Sequence, residues 1–356
     1  MTASSSDDVV RLGIAGLGYW GPNLVRNIVD CQRAELAWLC DVNQRALIAM
    51  VRRHPNTRRT TDFAEMLSDP DLDAVIVATP ISTHHELAAA ALDAGKHVWV
   101  EKPFAASSSQ ASDLIGRAER NGLVLLPGHT FLYSPPVVKI KELIDDGELG
   151  EIYSISMSRV NLGLHQPDAS VLWDLGPHDF SILRFWLEDL PAEVSAMTRC
   201  CVFPDVPDVA FVNMRFPGGT IAHLELSWLS PSKLRRTTVI GSSKMVVYDD
   251  TSTEPVRIFD SGASLPDPES FGEYRLTYRT GDIVSPRVEA TEPLALEVAD
   301  FCAAILDGTE LRSSPAIGLD VVRSIEMVED SLSVAGGSEA IPGVGRSSTP
   351  AGRLKP

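Results

Sequence analysis

The stretch GIAGLGYWG, residues 13–21, sets glycine at positions 16, 18 and 21 between a β-branched apolar run and the helix-like segment PNLVRNIVD. Few backbones accept that arrangement. Gly16 lets the chain turn sharply, Gly18 lets the backbone approach a ligand, and Gly21 lets the helix pack tightly on the strand. Pro22 suits the first helical turn, where N–H groups lack partners within the helix. Such a turn favours an anion, a pyrophosphate above all. A GxGxxG alone is a weak signal, but here a strand precedes it and a helix follows.

Asp41 ends the next apolar run, AELAWLC (34–40), 20 residues after Gly21. A carboxylate there accepts hydrogen bonds from adenosine ribose hydroxyls and repels a 2′-phosphate, so NAD is expected in preference to NADP. The basic stretch RRHPNTRR (52–59) opposes this and reads as a solvated helix end.

Alternation continues to residue 126. LDAVIVAT, KHVWV and LVLLP read as strands, and the segments between them carry helical spacing with cap signals such as Ser82 or Thr83 and Gly95. Strands alternating with helices imply a parallel sheet covered on both faces. Beyond residue 127 short strand-like stretches follow one another, separated by turn signals such as FPGGT and GSSK. SVLWDLGPHDFSILRFWLED (170–189) interrupts them as one helix, and two helices close the pattern. The expected fold is α/β: an N-terminal Rossmann dinucleotide-binding domain over 1–127 and a C-terminal α/β domain with a largely antiparallel open sheet over 128–335. A Gly-, Ser- and Pro-rich tail follows over 336–356.

Lys plus Arg number 31 and Asp plus Glu 48, a net charge of −17. Such a surface repels phosphate backbones and anionic lipids, so neither nucleic acid nor a membrane is expected as partner. The five cysteines have no metal-type spacing, and no metal is expected. Reduced thiols, no signal-like N-terminus and no apolar run near 20 residues point to the cytoplasm.

KHVWVEKPF (96–104) ends an apolar strand with an acid, a base and a proline. Pro103 keeps Lys102 out of helical geometry. Strand ends at the C-terminal edge of a parallel sheet form the ligand crevice, so Glu101 and Lys102 belong at its mouth.

Three stretches together, ATPISTHHELAAAALDAGKHVWVEKPF (78–104), GHTFLYSPPV (128–137) and WDLGPHDFSI (173–182), resemble the glucose–fructose oxidoreductase/inositol dehydrogenase family, Gfo/Idh/MocA. The resemblance runs from about residue 9 to about 335. It implies oxidation or reduction of a sugar or polyol at a secondary carbon with a nicotinamide cofactor. It also implies homodimers or homotetramers built through the C-terminal sheet. Position by position, Gly16, Gly18, Trp20 and Gly21 match the pyrophosphate loop, with Tyr19 inside it. Thr79, Pro80 and His84 match the loop lining the cofactor, Glu101 the acid on the nicotinamide ribose, and Lys102 the catalytic-site lysine. Asp174 and His178 match the acid and histidine of the substrate-domain helix. The bond before Pro103 is often cis in this family. The segment RVNLGLHQPDASVLWDLGPHDFSIL most resembles the WlbA-like branch, which acts on nucleotide-linked amino sugars at C3.

Oxidising an alcohol needs a base for the hydroxyl proton and a cation near the developing alkoxide. His178 as acid/base with Lys102 as charged donor is the preferred division, and the reverse remains open. Asp174 and His178, four residues apart, are expected on one helix face, with Asp174 orienting the ring. His129, Tyr133, Arg159 and Asn161 are further candidates to touch substrate, and His165 and Gln166 lie in a loop that could reach it. Alternatives are a 3-ketosugar reductase, an inositol dehydrogenase, NAD-assisted glycoside hydrolysis, or a non-catalytic sensor of sugar or dinucleotide.

Overall fold

The computed structural model describes residues 9–163, 165, 169–264 and 277–335; the expected tail at 336–356 and Gln166 lie outside them. The chain begins with β1 (Val10–Ala15), α1 (Gly21–Asp30), β2 (Ala34–Cys40), α2 (Gln44–Val51), β3 (Arg58–Thr60), α3 (Phe63–Leu67), β4 (Ala74–Val77), α4 (Ile81–Asp93), β5 (His97–Glu101), α5 (Ser108–Asn121) and β6 (Leu125–Gly128). The strands form one parallel sheet in the order β3-β2-β1-β4-β5-β6. Strand order reverses between β1 and β4, which opens a crevice beyond their C-terminal ends. All four residues of β4 are buried, as a strand covered on both faces requires. Asn43, Asp62 and Ser107 each accept a backbone N–H at the start of α2, α3 and α5. β3 and α3 had no counterpart in the sequence pattern, because β3 is three residues long and mostly exposed. Its Arg58 pairs with Asp69 at 2.8 Å and lies over the Trp38 ring, so part of the basic stretch is tied into the structure.

A 3-10 turn (Thr130–Tyr133) leads into α6 (Pro135–Asp145), β7 (Ile152–Leu162), α7 (Val171–Asp174) and α8 (Gly176–Leu187). Seven strands follow: β8 (Glu193–Arg199), β9 (Val209–Arg215), β10 (Ile221–Ser227), β11 (Leu229–Gly241), β12 (Met245–Asp249), β13 (Val256–Ser264) and β14 (Thr277–Val284). Two helices, α9 (Pro293–Asp307) and α10 (Pro315–Ala335), close the described chain. The second sheet runs β14-β13-β12-β11-β7-β10-β9-β8, and only β7 and β10 pair in parallel. In β9, Ala210, Val212 and Met214 are buried while Phe211, Asn213 and Arg215 are exposed, so one face meets the core and the other is open. β14 escaped the sequence pattern because its residues are exposed on both sides and show no apolar alternation.

The two sheets do not keep separate cores. Leu294, Val298, Phe301 and Cys302 of α9 join the apolar cluster of β1 and α1, and Val322 of α10 joins the cluster on the other face. Trp99, fully buried on β5, meets Phe301 edge-on at 5.9 Å. Truncating such a ring costs about 3–5 kcal/mol. Among the described residues no helix is long and apolar enough to cross a membrane.

Candidate active site

The glycine loop forms a cradle. Gly16 has φ +100°, and a Cβ there would fall 2.3 Å from the Ala78 carbonyl oxygen. A Cβ on Gly21 would fall 2.6 Å from the Gly16 carbonyl oxygen, whereas one on Gly18 would meet nothing within 4 Å. The first and third glycines thus pack the turn, and the second faces open space where a pyrophosphate fits. Asp41 accepts the Leu17 N–H at 2.6 Å and the Asn43 N–H at 2.7 Å, which ties the end of β2 to this loop. Tyr19 is exposed, and the Trp20 indole donates to Glu101 at 3.0 Å. These residues fit NAD, whose pyrophosphate would lie on the cradle and α1, with Asp41 at the adenosine ribose.

Two loops meet beside the cradle. Thr79 and Pro80 follow β4, and Thr83 bonds to the Thr79 hydroxyl and the Pro80 carbonyl, each at 2.8 Å. The buried His84 ring spans the Thr79 and Pro103 carbonyls at 2.7 and 2.8 Å. Burial holds this ring below the usual histidine range, against those carbonyls, which favour protonation. The Lys102–Pro103 bond is cis. Glu101, held by Trp20 and the Lys102 N–H, is pushed up to about 7 by burial.

Lys102 Nζ donates to Asp174 Oδ1 and to the Asp174 backbone carbonyl, both at 2.9 Å. The expected single helix over 170–189 is interrupted at Leu175, so Asp174 ends α7 while His178 stands in the first turn of α8. Proline explains the break. Pro177 has no N–H to give, and the His178 N–H goes to the Leu175 carbonyl at 3.3 Å. The Asp174 carbonyl is thereby left for the Lys102 ammonium. Asp174 Oδ2 accepts the Trp228 indole N–H at 3.0 Å. Asp174 is thus anchored to protein on both oxygens, rather than merely projecting toward a ligand.

The half-buried His178 ring meets Phe131 edge-on at 4.9 Å, and its Nδ1 is buried with no hydrogen-bond partner among the described residues. Burial, then Lys102, Arg159 and Arg235, push it well below the usual histidine range, so it is neutral near pH 7. His129 is fully buried with neither ring nitrogen partnered among the described residues, and burial, then Lys102, lower it to about 3. Arg159 forms a sealed pair with Asp179, through contacts of 3.0, 3.0 and 2.7 Å, and stacks on Phe131 at 4.4 Å. Asn161, half-buried, follows two residues later on the same face of β7.

Tyr133 is corrected as a substrate residue. Its buried hydroxyl donates to Asp300 at 2.7 Å and accepts the Ser313 N–H at 3.2 Å, so the ring locks the 3-10 turn to α9 and the segment before α10. His165 packs edge-on against Trp228 at 5.3 Å, one ring removed from Asp174. Trp173 donates to Glu329 and His85 pairs with Asp113, outside the cluster. Three residues of the cluster escaped the sequence: Trp228, Phe131 and Arg235. Each reads as an ordinary strand or turn residue until the fold brings Trp228 against Asp174, Phe131 against His178 and Arg235 over the Phe131 ring.

A neutral imidazole and an ammonium with two fixed acceptors therefore stand together at the mouth of a dinucleotide cradle, a set able to move a proton and stabilise an oxyanion. The chain matches the oxidoreductase family with NAD-binding Rossmann fold over residues 10–129 and the GFO/IDH/MocA C-terminal domain over residues 137–247. It is 25% identical over 335 residues to myo-inositol 2-dehydrogenase of Thermotoga maritima, covering 90% of this chain and 99% of the relative. The structure of GenD2 from gentamicin A biosynthesis, in complex with NAD, superposes with a TM-score of 0.79 at 26% identity, covering 94% of this chain and 97% of that one. UDP-N-acetylglucosamine 3-dehydrogenase GnnA of Acidithiobacillus ferrooxidans superposes with a TM-score of 0.74 at 26% identity, over 90% of this chain and 96% of that one. The cradle, the two sheets and these matches over both parts of the chain agree: it belongs to the Gfo/Idh/MocA family of NAD-binding oxidoreductases.

Proposed function

We propose that the chain is an NAD-dependent dehydrogenase that oxidises a secondary hydroxyl of a sugar to a ketone, with C3 of a nucleotide-linked sugar as the preferred position. The observation that carries this is the Lys102 ammonium, fixed by two 2.9 Å contacts to Asp174 beside a neutral His178. His178 takes the hydroxyl proton. Lys102 donates to the oxygen as negative charge develops there, which lowers the barrier only if the ammonium is already in place. Asp174 holds it there, and Trp228 holds Asp174. NAD, when bound, would supply the hydride acceptor; Glu101 and Trp20 would hold its nicotinamide ribose, and Thr79, Pro80 and His84 would line its flank. Asn161, half-buried on β7, would be the residue to touch the sugar, whereas the His129 ring is fully buried. The sugar assignment draws support from the relatives that act on inositol and on UDP-N-acetylglucosamine.

The test is NADH formation at 340 nm with UDP-N-acetylglucosamine, its uronate and myo-inositol. A nucleotide sugar is expected to react, and His178→Asn to lose about 100-fold or more in kcat. Because His178 lies below the usual histidine range, its basic form persists below pH 6.5, and the wild-type acid limb is expected there. Tight NAD binding without any absorbance change would return the sensor alternative.

A second copy is proposed to cover the open face of the C-terminal sheet. Met197, Phe211 and Ile221 are exposed, and Ser156, Asn213 and His223 help line a cavity of about 470 Å³ there. A monomer by light scattering would sink this assembly.

A further inference from the structure

Arg159 on β7 and Arg235 on β11 are direct register partners in the antiparallel pairing of those strands. Like charges set opposite each other on one face weaken a sheet, so the placement needs a compensating reason. Both guanidinium groups lie over the Phe131 ring, their Cζ atoms 4.4 and 5.7 Å from its centroid. That same ring meets His178 at 4.9 Å. The groups acting most strongly on His178 through charge are Lys102, Arg159 and Arg235, all basic. The proton-transfer histidine therefore sits in a positive field.

The two arginines are partnered differently. Arg159 gives Nε and Nη2 to Asp179 with both side chains buried, and its Nη1 has no partner among the described residues. Arg235 is 35% exposed and gives Nη1 to Asp250 at 3.0 Å, an acid itself 31% exposed. A guanidinium carries five N–H donors in a planar fork that matches a carboxylate or a phosphate. Arg235 already donates to one such oxygen, that of Asp250, while lying over the ring that touches His178.

Resting on the dehydrogenase reading, we propose that Arg235 is a specificity-determining residue that reads an anionic substituent, carboxylate or phosphate, on the sugar substrate. Arg159, locked by Asp179, sets the Phe131 platform and adds a second positive charge behind it. Asp250 occupies one arm of the Arg235 fork and competes with the incoming anion. The substrate class is thus an acidic sugar, a uronate or a phosphate-bearing one, rather than a neutral polyol.

The test uses the full chain saturated with NAD and reads binding heat, so it does not depend on turnover. Glucuronate is compared with glucose for the carboxylate, and glucose 1-phosphate and UDP-N-acetylglucosamine with glucose and N-acetylglucosamine for the phosphate. In at least one comparison the anionic member is expected to bind about tenfold tighter or more, and the comparison that shows it identifies the anion. Arg235→Gln should erase the preference with NAD affinity intact, Arg235→Lys should keep part of it, and Asp250→Asn should strengthen it. Equal binding of charged and neutral members, no binding by any of them, or a preference that survives Arg235→Gln overturns the proposal. Anion binding that persists without NADH formation counts against the dehydrogenase reading alone.

Discussion

Asp174 and Asp179 are five residues apart, and each holds one basic side chain. The Arg159–Asp179 pair is 6% and 3% exposed and makes three short contacts. The Lys102–Asp174 pair is 24% and 19% exposed and shares its acid with the Trp228 indole. The chemistry is nearly the same, but the surroundings differ. A sealed pair bears a desolvation cost that its mutual attraction roughly offsets, so it shapes the site more than it stabilises the fold. A pair left partly open keeps a donor within reach of a ligand. Burial, rather than residue type, separates the acid that holds a platform from the acid that holds a reactive group.

Substitutions can break that contrast. Lys102→Ala should remove the open pair's function while sparing the fold: NADH formation falls by about 1,000-fold or more, and the melting temperature stays close to wild type. A comparable loss of melting temperature would show the open pair to be structural after all. Asp179→Ala should do the opposite, costing about 3–5 kcal/mol by leaving Arg159 buried and uncompensated. Urea unfolding measures it, and a companion Arg159→Met should recover much of the loss. An unchanged midpoint in Asp179→Ala would end the distinction.

Glu297 extends the comparison to an acid with no base. It is fully buried on α9, and burial, then the charge of Glu101, raises it well above the usual range against the pull of the Thr130 hydroxyl. Tyr133 and Asp300 stand close enough to couple with it or with each other. A raised carboxyl contributes stability that is present below its unfolded value and lost as pH rises through its folded value. Glu297→Gln removes that loss. Its melting temperature should match wild type near pH 4 and exceed it by a widening margin, roughly 2–4 °C, toward pH 9. A margin that stays constant with pH would mean that Glu297 does not carry a proton in the fold.

Much of this arrangement was legible because it is local. The glycine spacing, Asp41 at the next strand end and Lys102 ahead of Pro103 each follow from a short run of residues and a strand–turn–helix rule. The break at Leu175 was also written in the sequence, since Pro177 lies inside the expected helix, but apolar spacing on both sides masked it. Tyr133 misled because it lies near His129 in sequence while its hydroxyl turns to Asp300, 167 residues away. Trp228 and Arg235 could not be found locally. Trp228 lies 54 residues from Asp174, and Arg235 faces Arg159 only once β11 and β7 pair in register. Such residues become functional through strand pairing, which no window of sequence contains.

The α9 helix has a consequence for how the chain is made. Trp99 and Phe301 lie 202 residues apart. At about 5–20 residues per second, a ribosome finishes β5 roughly 10–40 s before it releases Phe301. Once β6 has followed β5, the first sheet has all its strands but stays bare on the face that Leu294, Val298 and Phe301 will cover. The nascent first sheet must stay soluble with an open apolar seam, and its last turn of folding is timed by the arrival of a helix encoded much further along the message.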